Sequence, residues 1–365
     1  MPDFIPGLEL SRLFFFEAVK PILDAEYPDL RYDAALIGFG SEVLGFDTAR
    51  STDHGWGPRV LLFISESDSA QYGEPVHEML RQRLPLRFRG YSTSYTRHED
   101  GSMMLTEREV GPVEHLVTIE IVRNMLQQYL SYDWQPGQPI MPQDWLTFPE
   151  QKLRTLTEGA VYHEGLGDLR RMRADLRYYP RDVWLYLLAC AWRRVDQEEP
   201  FGGRCGDVGD ELGSRIIAAR LVRDLMRLCF LMERVYAPYP KWFGTGFSRL
   251  RCAPTLTPIF QRVLSAGNWK KRERYLSETY HIVAEMHNAL DLTAPLPTEV
   301  SPFYDRPYLV LHSGTFVEAI RAAIEDETVK HIADRTLIGS VDQFSDSTDM
   351  HEHIELRERL AALYG

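Results

Sequence analysis

Gly40-Ser41 is followed, after eleven residues, by Asp53-His54-Gly55. These residue types at this spacing suit phosphate and metal chemistry. A Gly-Ser turn can cradle phosphate oxygens through backbone N–H groups and the serine hydroxyl. In nucleotide transfer, metal ions bridge the phosphates and one metal activates the incoming hydroxyl. Magnesium is hard and wants oxygen ligands in an octahedral array. If residues 53–55 lie on a strand, positions 53 and 55 share a face and two carboxylates there would sit over one metal. Asp53 supplies the first carboxylate; position 55 is glycine, so the second is missing. His54 does not replace it, because alternation sends that side chain to the other face. Asp53 also has a purely local reading, as the cap of a turn in Ser51-Thr52-Asp53.

The third carboxylate of such a cage would come from a neighbouring strand. Glu120 is the candidate, on the face opposite Val117, Ile119 and Ile121. One step along that face is Thr118, where a hydroxyl would be a second defect in the cage. Glu42 and Asp47 lie near the Gly-Ser turn and read as local hydrogen-bonding residues. Arg220, Arg223 and Arg227 share a helix face and could hold phosphate oxygens, but nearby acids favour a structural ion-pair network. Lys241, in the aromatic stretch Tyr236 to Gly244, joins Arg220 and Arg223 as a candidate cofactor-binding residue. That stretch suits stacking on a ring and packing equally.

The elements that must position these residues follow from periodicity. Leu8 to Ala25 has helical spacing, and Ala34 to Gly40 is an apolar run ending in glycines, as a buried strand would. Val60 to Ile64 is a second buried strand and Glu114 to Val122 an alternating one. Helices are expected over Glu74 to Arg83 and Asn124 to Leu130, with a weak strand over Phe88 to Tyr95. After a loop rich in Pro, Gly and Gln, the pattern turns helical: Trp145 to Thr157, Val183 to Val195, Asp210 to Val235, Tyr275 to Leu290 and Thr315 to Ile324. A short strand and turn interrupt it at Val161 to Asp168. The expected fold is α+β, with a mixed sheet and helices over residues 1–150 and an α-helical domain over 151–365.

Composition limits the partners. The chain has 365 residues, 44% of them hydrophobic and 12% aromatic, which is enough for two packed cores. A net charge of -12 argues against general nucleic-acid binding and leaves room for a local positive patch around a nucleotide. Four cysteines without metal-ligand spacing read as free thiols. The N-terminus lacks a positive n-region, and Leu13 to Phe16 is far too short to cross a bilayer. A cytoplasmic protein without a membrane partner is expected.

Four motifs carry a family resemblance: Gly38 to Asp47 with Ser51 to Gly57, Tyr179-Pro180-Arg181-Asp182-Val183-Trp184, Gly203-Arg204-Cys205-Gly206, and Tyr239-Pro240-Lys241-Trp242. With Val341-Asp342-Gln343-Phe344 they make nearly the whole chain resemble the family known as domain of unknown function 4037. That family is similar to nucleotidyltransferases of the polymerase-beta type, including antibiotic adenylyltransferases. The resemblance implies a phosphate-cradling role for Gly40 and Ser41 and a metal role for Asp53. The family's Asp-His-Asp-Trp-Gly pattern departs here at Gly55. Two functions follow as expectations. One is nucleotide transfer from a nucleoside triphosphate to a small-molecule acceptor with Mg2+, Asp53 and Glu120 acting as catalytic and metal-binding residues. The other is a non-transferring relative that uses the same cleft for ligand binding or metal-independent chemistry.

Overall fold

The computed structural model describes residues 3–99 and 101–365, with Asp53 described by its backbone alone. The chain divides into two compact units. One runs to Pro139 and resumes over Lys152–Arg177; the other comprises Ile140–Gln151 and Tyr178–Gly365. The first carries a mixed sheet with helices and the second is largely helical, so the α+β class read from the sequence holds.

In the first unit, α1 (Gly7–Phe14) runs through a π-helical turn, Phe15–Val19, into a further stretch, Lys20–Glu26. The Lys20 N–H reaches back to the Phe15 carbonyl. Pro21 follows; its ring lacks an N–H and crowds the preceding turn, which a wider π turn relieves. Four strands form the sheet: β1 (Asp33–Leu36), β2 (Arg59–Phe63), β3 (Leu116–Glu120) and β4 (Ala160–Glu164). Their order is β3-β2-β1-β4. β1 is antiparallel to β2 and β4, and β2 is parallel to β3. The strand read at Val161 therefore belongs to the first sheet.

One sheet face buries Ala34, Val60, Leu62 and Val117 with Leu10 and Phe14 of α1. Alternation sends Leu61 and Thr118 to the other face, where the register sets them opposite each other. Helix α2 (Glu66–Arg83) starts earlier than its apolar periodicity suggests, because the Ser65 hydroxyl caps it by accepting the Asp68 N–H at 3.1 Å. The weak strand read over Phe88 to Tyr95 is instead a tight hairpin, Arg87–Phe88 against Tyr91–Ser92. Arg89 and Gly90 both take positive φ (52° and 87°), as a two-residue hairpin turn requires. α3 (Val122–Leu130) follows β3 directly.

The helix expected over Trp145 to Thr157 is two, Pro142–Thr147 and α4 (Glu150–Thr157). Phe148 precedes Pro149 and is extended (φ -77°, ψ 123°), the conformation a following proline favours. After β4 comes α5 (Asp168–Asp175).

Asp33 holds this corner of the first unit together. It is fully buried, and its carboxylate accepts N–H bonds from Leu166 at 2.8 Å, Leu169 at 3.3 Å and Gly167 at 3.4 Å. The donors include the first turn of α5, so one carboxylate satisfies orphan N–H groups and favours the positive end of the helix dipole.

The second unit is built on α6 (Arg181–Glu198), α7 (Glu211–Met232), α8 (Ala253–Ser265), α9 (Trp269–Asn288) and α10 (Gly314–Ala322). Trp192 of α6 stacks on Phe316 of α10, centroids 4.4 Å apart. A hairpin, Ser301–Phe303 against Arg306–Val310, interrupts the helices and was not legible in the periodicity. The buried Glu199 carboxylate accepts from Leu311 N–H at 2.7 Å and Ser313 N–H at 3.0 Å, which seats the chain entering α10. Burial pushes its pKa up to about 7, against the lowering effect of those hydrogen bonds. Among the described residues no helix is long and apolar enough to cross a membrane.

Two outcomes follow. Asp33→Ala strands the N–H donors and should cost roughly 3 kcal/mol in denaturant unfolding. Glu199 has a raised native pKa, so the native state binds its proton more tightly than the unfolded chain does. Its contribution is fullest below the unfolded value and is lost as pH rises through about 7. Unfolding followed between pH 4.5 and pH 7.5 should show that loss in the wild type and a flatter profile in Glu199→Gln.

Candidate functional site

A cavity of about 280 Å³ opens on the sheet face away from α1. Leu36 of β1, Leu61 of β2 and Thr118 of β3 line it from the sheet. Phe39, Gly55 and Met103 line it from the loops. The sequence expected catalytic chemistry in this region, and the loop around Gly55 does reach it.

The loop geometry differs from expectation. Residues 53–55 are not a strand: Ala49–Asp53 is a 3-10 turn and β2 begins only at Arg59. A local capping box explains this, with the Thr48 hydroxyl accepting the Arg50 N–H at 3.2 Å and the Ser51 hydroxyl accepting the Thr48 N–H at 3.0 Å. The strand-alternation argument for pairing positions 53 and 55 therefore does not apply. Gly55 has φ +63°, and a Cβ there would stand 2.9 Å from Phe39 Cε1. Its N–H donates to the Met103 carbonyl at 2.6 Å. The glycine lets the Phe39 ring lie close to the backbone; an aspartate would have to take a left-handed φ and displace that ring.

The Gly-Ser turn is fastened from within. Glu42 is 3% exposed and paired with Arg59, Oε1 to Nε at 2.9 Å and to Nη2 at 2.5 Å. Arg59 Nη2 also donates to the Phe39 carbonyl. Gly40 has φ +126°, and a Cβ there would collide with both members of the pair. The Ser41 carbonyl accepts the Phe46 N–H at 2.9 Å. Asp47 accepts from the Gly7 N–H at 2.7 Å and from the Trp56 indole at 3.0 Å. Glu42 and Asp47 are thus hydrogen-bonding residues, as read, but their partners lie in β2, at the start of α1 and at Trp56 rather than within the turn. Near the pair, burial pushes the Tyr95 phenol above its usual range, and its hydroxyl donates to the Pro58 carbonyl at 3.3 Å.

The remaining candidates separate. Gly40, Ser41 and Glu120 are not among the residues lining the cavity. Glu120 shares the Thr118 face one step along, and its carboxylate accepts the Ile121 N–H at 2.9 Å. Asp53, the first carboxylate of the motif, has its side chain outside the described residues. In the second unit, Arg220 is paired with Glu198 and Arg223 with Asp346, while Arg227 lies 4.0 Å from Asp346. Arg223 and Arg227 also sit over the Phe243 ring. Lys241 lies over Trp242 at 5.1 Å.

Magnesium would need hard oxygen donors converging on the sheet floor. The floor offers two leucines and a hydroxyl, and the nearby described carboxylates bond elsewhere. No three His, Cys, Asp or Glu converge as a metal site among the described residues. The described donor set does not fit a two-carboxylate magnesium cage. Thr118 is the residue that reasoning from the motif did not weight enough; its place on the open face was legible from the alternation of β3.

The fold and site together define an α+β protein with a small cavity on a mixed sheet, whose lining arginine, Arg59, is paired with Glu42. The family model described as Domain of unknown function (DUF4037) matches residues 145–243, a stretch that contains three of the four motifs on which the resemblance was read. A solved structure described as a nucleotidyltransferase-like protein from Exiguobacterium sibiricum 255-15 is similar over 98% of this chain and 89% of its own, at 11% identity and a TM-score of 0.31. No curated protein matches.

Arg59→Met should leave the buried Glu42 carboxylate unpaired and cost about 3–5 kcal/mol of stability. Adding Glu42→Gln should recover much of that loss. A double-mutant cycle by denaturant unfolding reads the coupling, and additive single effects would show that the pair does not fasten the turn.

Proposed function

We propose that this protein is a non-transferring relative of the nucleotidyltransferases, whose sheet-face cavity binds a small molecule without a metal ion. The observation that carries this reading is the floor, where Leu36, Leu61 and Thr118 stand on adjacent strands. Nucleotide transfer would need acidic oxygens there to hold metal against the phosphates. Two further features support it. The cation nearest the Gly-Ser turn, Arg59, is matched by Glu42 and by the Phe39 carbonyl, so its charge is largely committed. Gly55 admits the Phe39 ring where the motif would carry a second carboxylate. An apolar cavity with a few polar groups is the usual form of a small-molecule site.

Isothermal titration of the full chain with ATP, with and without magnesium, tests the reading. The expected result is no magnesium-dependent binding and no nucleotide transfer to small hydroxyl or amino acceptors. Magnesium-dependent ATP binding, or release of pyrophosphate with a nucleotidylated product, would overturn it and restore the transfer function with Asp53 as its metal ligand.

A further inference from the structure

The geometry points to a neutral, planar aromatic heterocycle of one or two rings as the occupant of this cavity, stacked on Phe39 and held at its edge by the Thr118 hydroxyl. This inference rests on the metal-independent reading above and adds the ligand class.

Size sets the first limit. A volume of about 280 Å³ lies at the lower edge of ligand pockets, which run from about 300 to 1,000 Å³. A one- or two-ring molecule suits that space better than a nucleotide with its phosphate chain. Charge sets the second. Arg59 lines the cavity but is compensated by Glu42, and no described carboxylate lines it, so an ionised ligand would lose its hydration without gaining a free counter-charge.

Aromatic chemistry comes from Phe39. Its side chain is 62% exposed, unusual for a phenylalanine when the first unit has a full apolar core. The ring lies against the Gly55 backbone, which limits its freedom before any ligand arrives. Such a ring offers a flat apolar surface on which a heterocycle can stack. Met103 lines the same cavity with a polarizable thioether, which also favours aromatic neighbours.

The hydrogen-bonding requirement comes from Thr118. It is exposed on the cavity floor, opposite Leu61 in the β2–β3 register, and its hydroxyl makes no hydrogen bond among the described residues. A hydroxyl can donate one bond and accept others, so it matches a ring nitrogen or a ring N–H. Set among leucines, it would orient the ring edge rather than supply most of the affinity.

The test uses the full chain and four probes: indole, adenine, hexanol as an aliphatic of similar length, and ATP with magnesium. Binding is read by titration calorimetry and by chemical-shift changes of residues lining the cavity. Indole and adenine should bind with shifts at Phe39 and Thr118, and hexanol at least about tenfold more weakly. Phe39→Ala should weaken both aromatic probes about tenfold or more. Thr118→Val should weaken adenine about fivefold. Phe39 is solvent-exposed and Thr118 faces outward, so neither change disturbs the core, and an unaltered melting curve verifies this. Preferential hexanol binding without metal would overturn the aromatic assignment while leaving the metal-independent cavity standing. Magnesium-dependent ATP binding at these residues would overturn both. Unchanged aromatic affinity in Phe39→Ala, or no aromatic binding at all, would also overturn the assignment.

Discussion

The pairing of Glu42 with Arg59 organises the cavity end of the first unit. A buried ion pair is costly to desolvate and holds only when geometry and further hydrogen bonds compensate. Here the guanidinium also serves the Phe39 carbonyl, and the Arg59 carbonyl accepts the Ser11 hydroxyl at 2.6 Å. One residue at the start of β2 therefore joins α1, the Gly-Ser turn and the sheet. Asp47 does related work by tying the start of α1 and Trp56 to the far end of the same loop. Glu42, Asp47 and the Phe39 carbonyl of this loop are all engaged by other parts of the first unit.

That commitment shapes the chemistry available nearby. The electrostatic power of a transfer site comes from preorganised charge aimed at charge that develops in the reaction. On this sheet face the cavity is lined by leucines, Thr118 and Arg59, the last already matched by Glu42, while Glu120 one step along bonds the Ile121 N–H. Besides the Arg59–Glu42 pair the lining offers a ring, a thioether, aliphatic side chains, His54, and the hydroxyl residues Ser102 and Thr118. Gly55 belongs to this arrangement, since the close approach of Phe39 depends on the absence of a side chain there.

The second unit uses its acidic residues in a way that net charge alone does not suggest. Asp182 accepts the N–H groups of Glu325 and Asp326, Glu233 those of Arg251 and Cys252, and Glu150 that of Ala237. Glu199 and Asp196 together seat the turn into α10. These carboxylates occupy backbone donors at helix starts and turns, where anionic acceptors are stabilising. Part of the acidity that argues against a nucleic-acid partner is thus internal scaffolding. The arginines of α7 fit the same pattern, since acids and the Phe243 ring occupy them.

The sequence by itself determined the elements whose signal is periodic. The strands at 33–36, 59–63 and 116–120 and four helices of the second unit, α6, α7, α9 and α10, were legible because each buries one face of regular structure, whereas α8 was not read. Alternation likewise put Thr118 and Glu120 on the face away from Val117. It could not say which of the two reaches the cavity, because that depends on the parallel register with β2 and on Glu120 turning to the Ile121 N–H. The placing of β4 in the first sheet was likewise a tertiary decision, while the 3-10 turn at 49–53 and the hairpin at 301–310 are local structures without a period. Capping hydrogen bonds, strand pairing across more than a hundred residues and two-residue turns leave no period in the chain. Most of all, a Gly-Ser motif states which groups are present, and only packing decided that Arg59 would bridge Glu42 and the Phe39 carbonyl beside it.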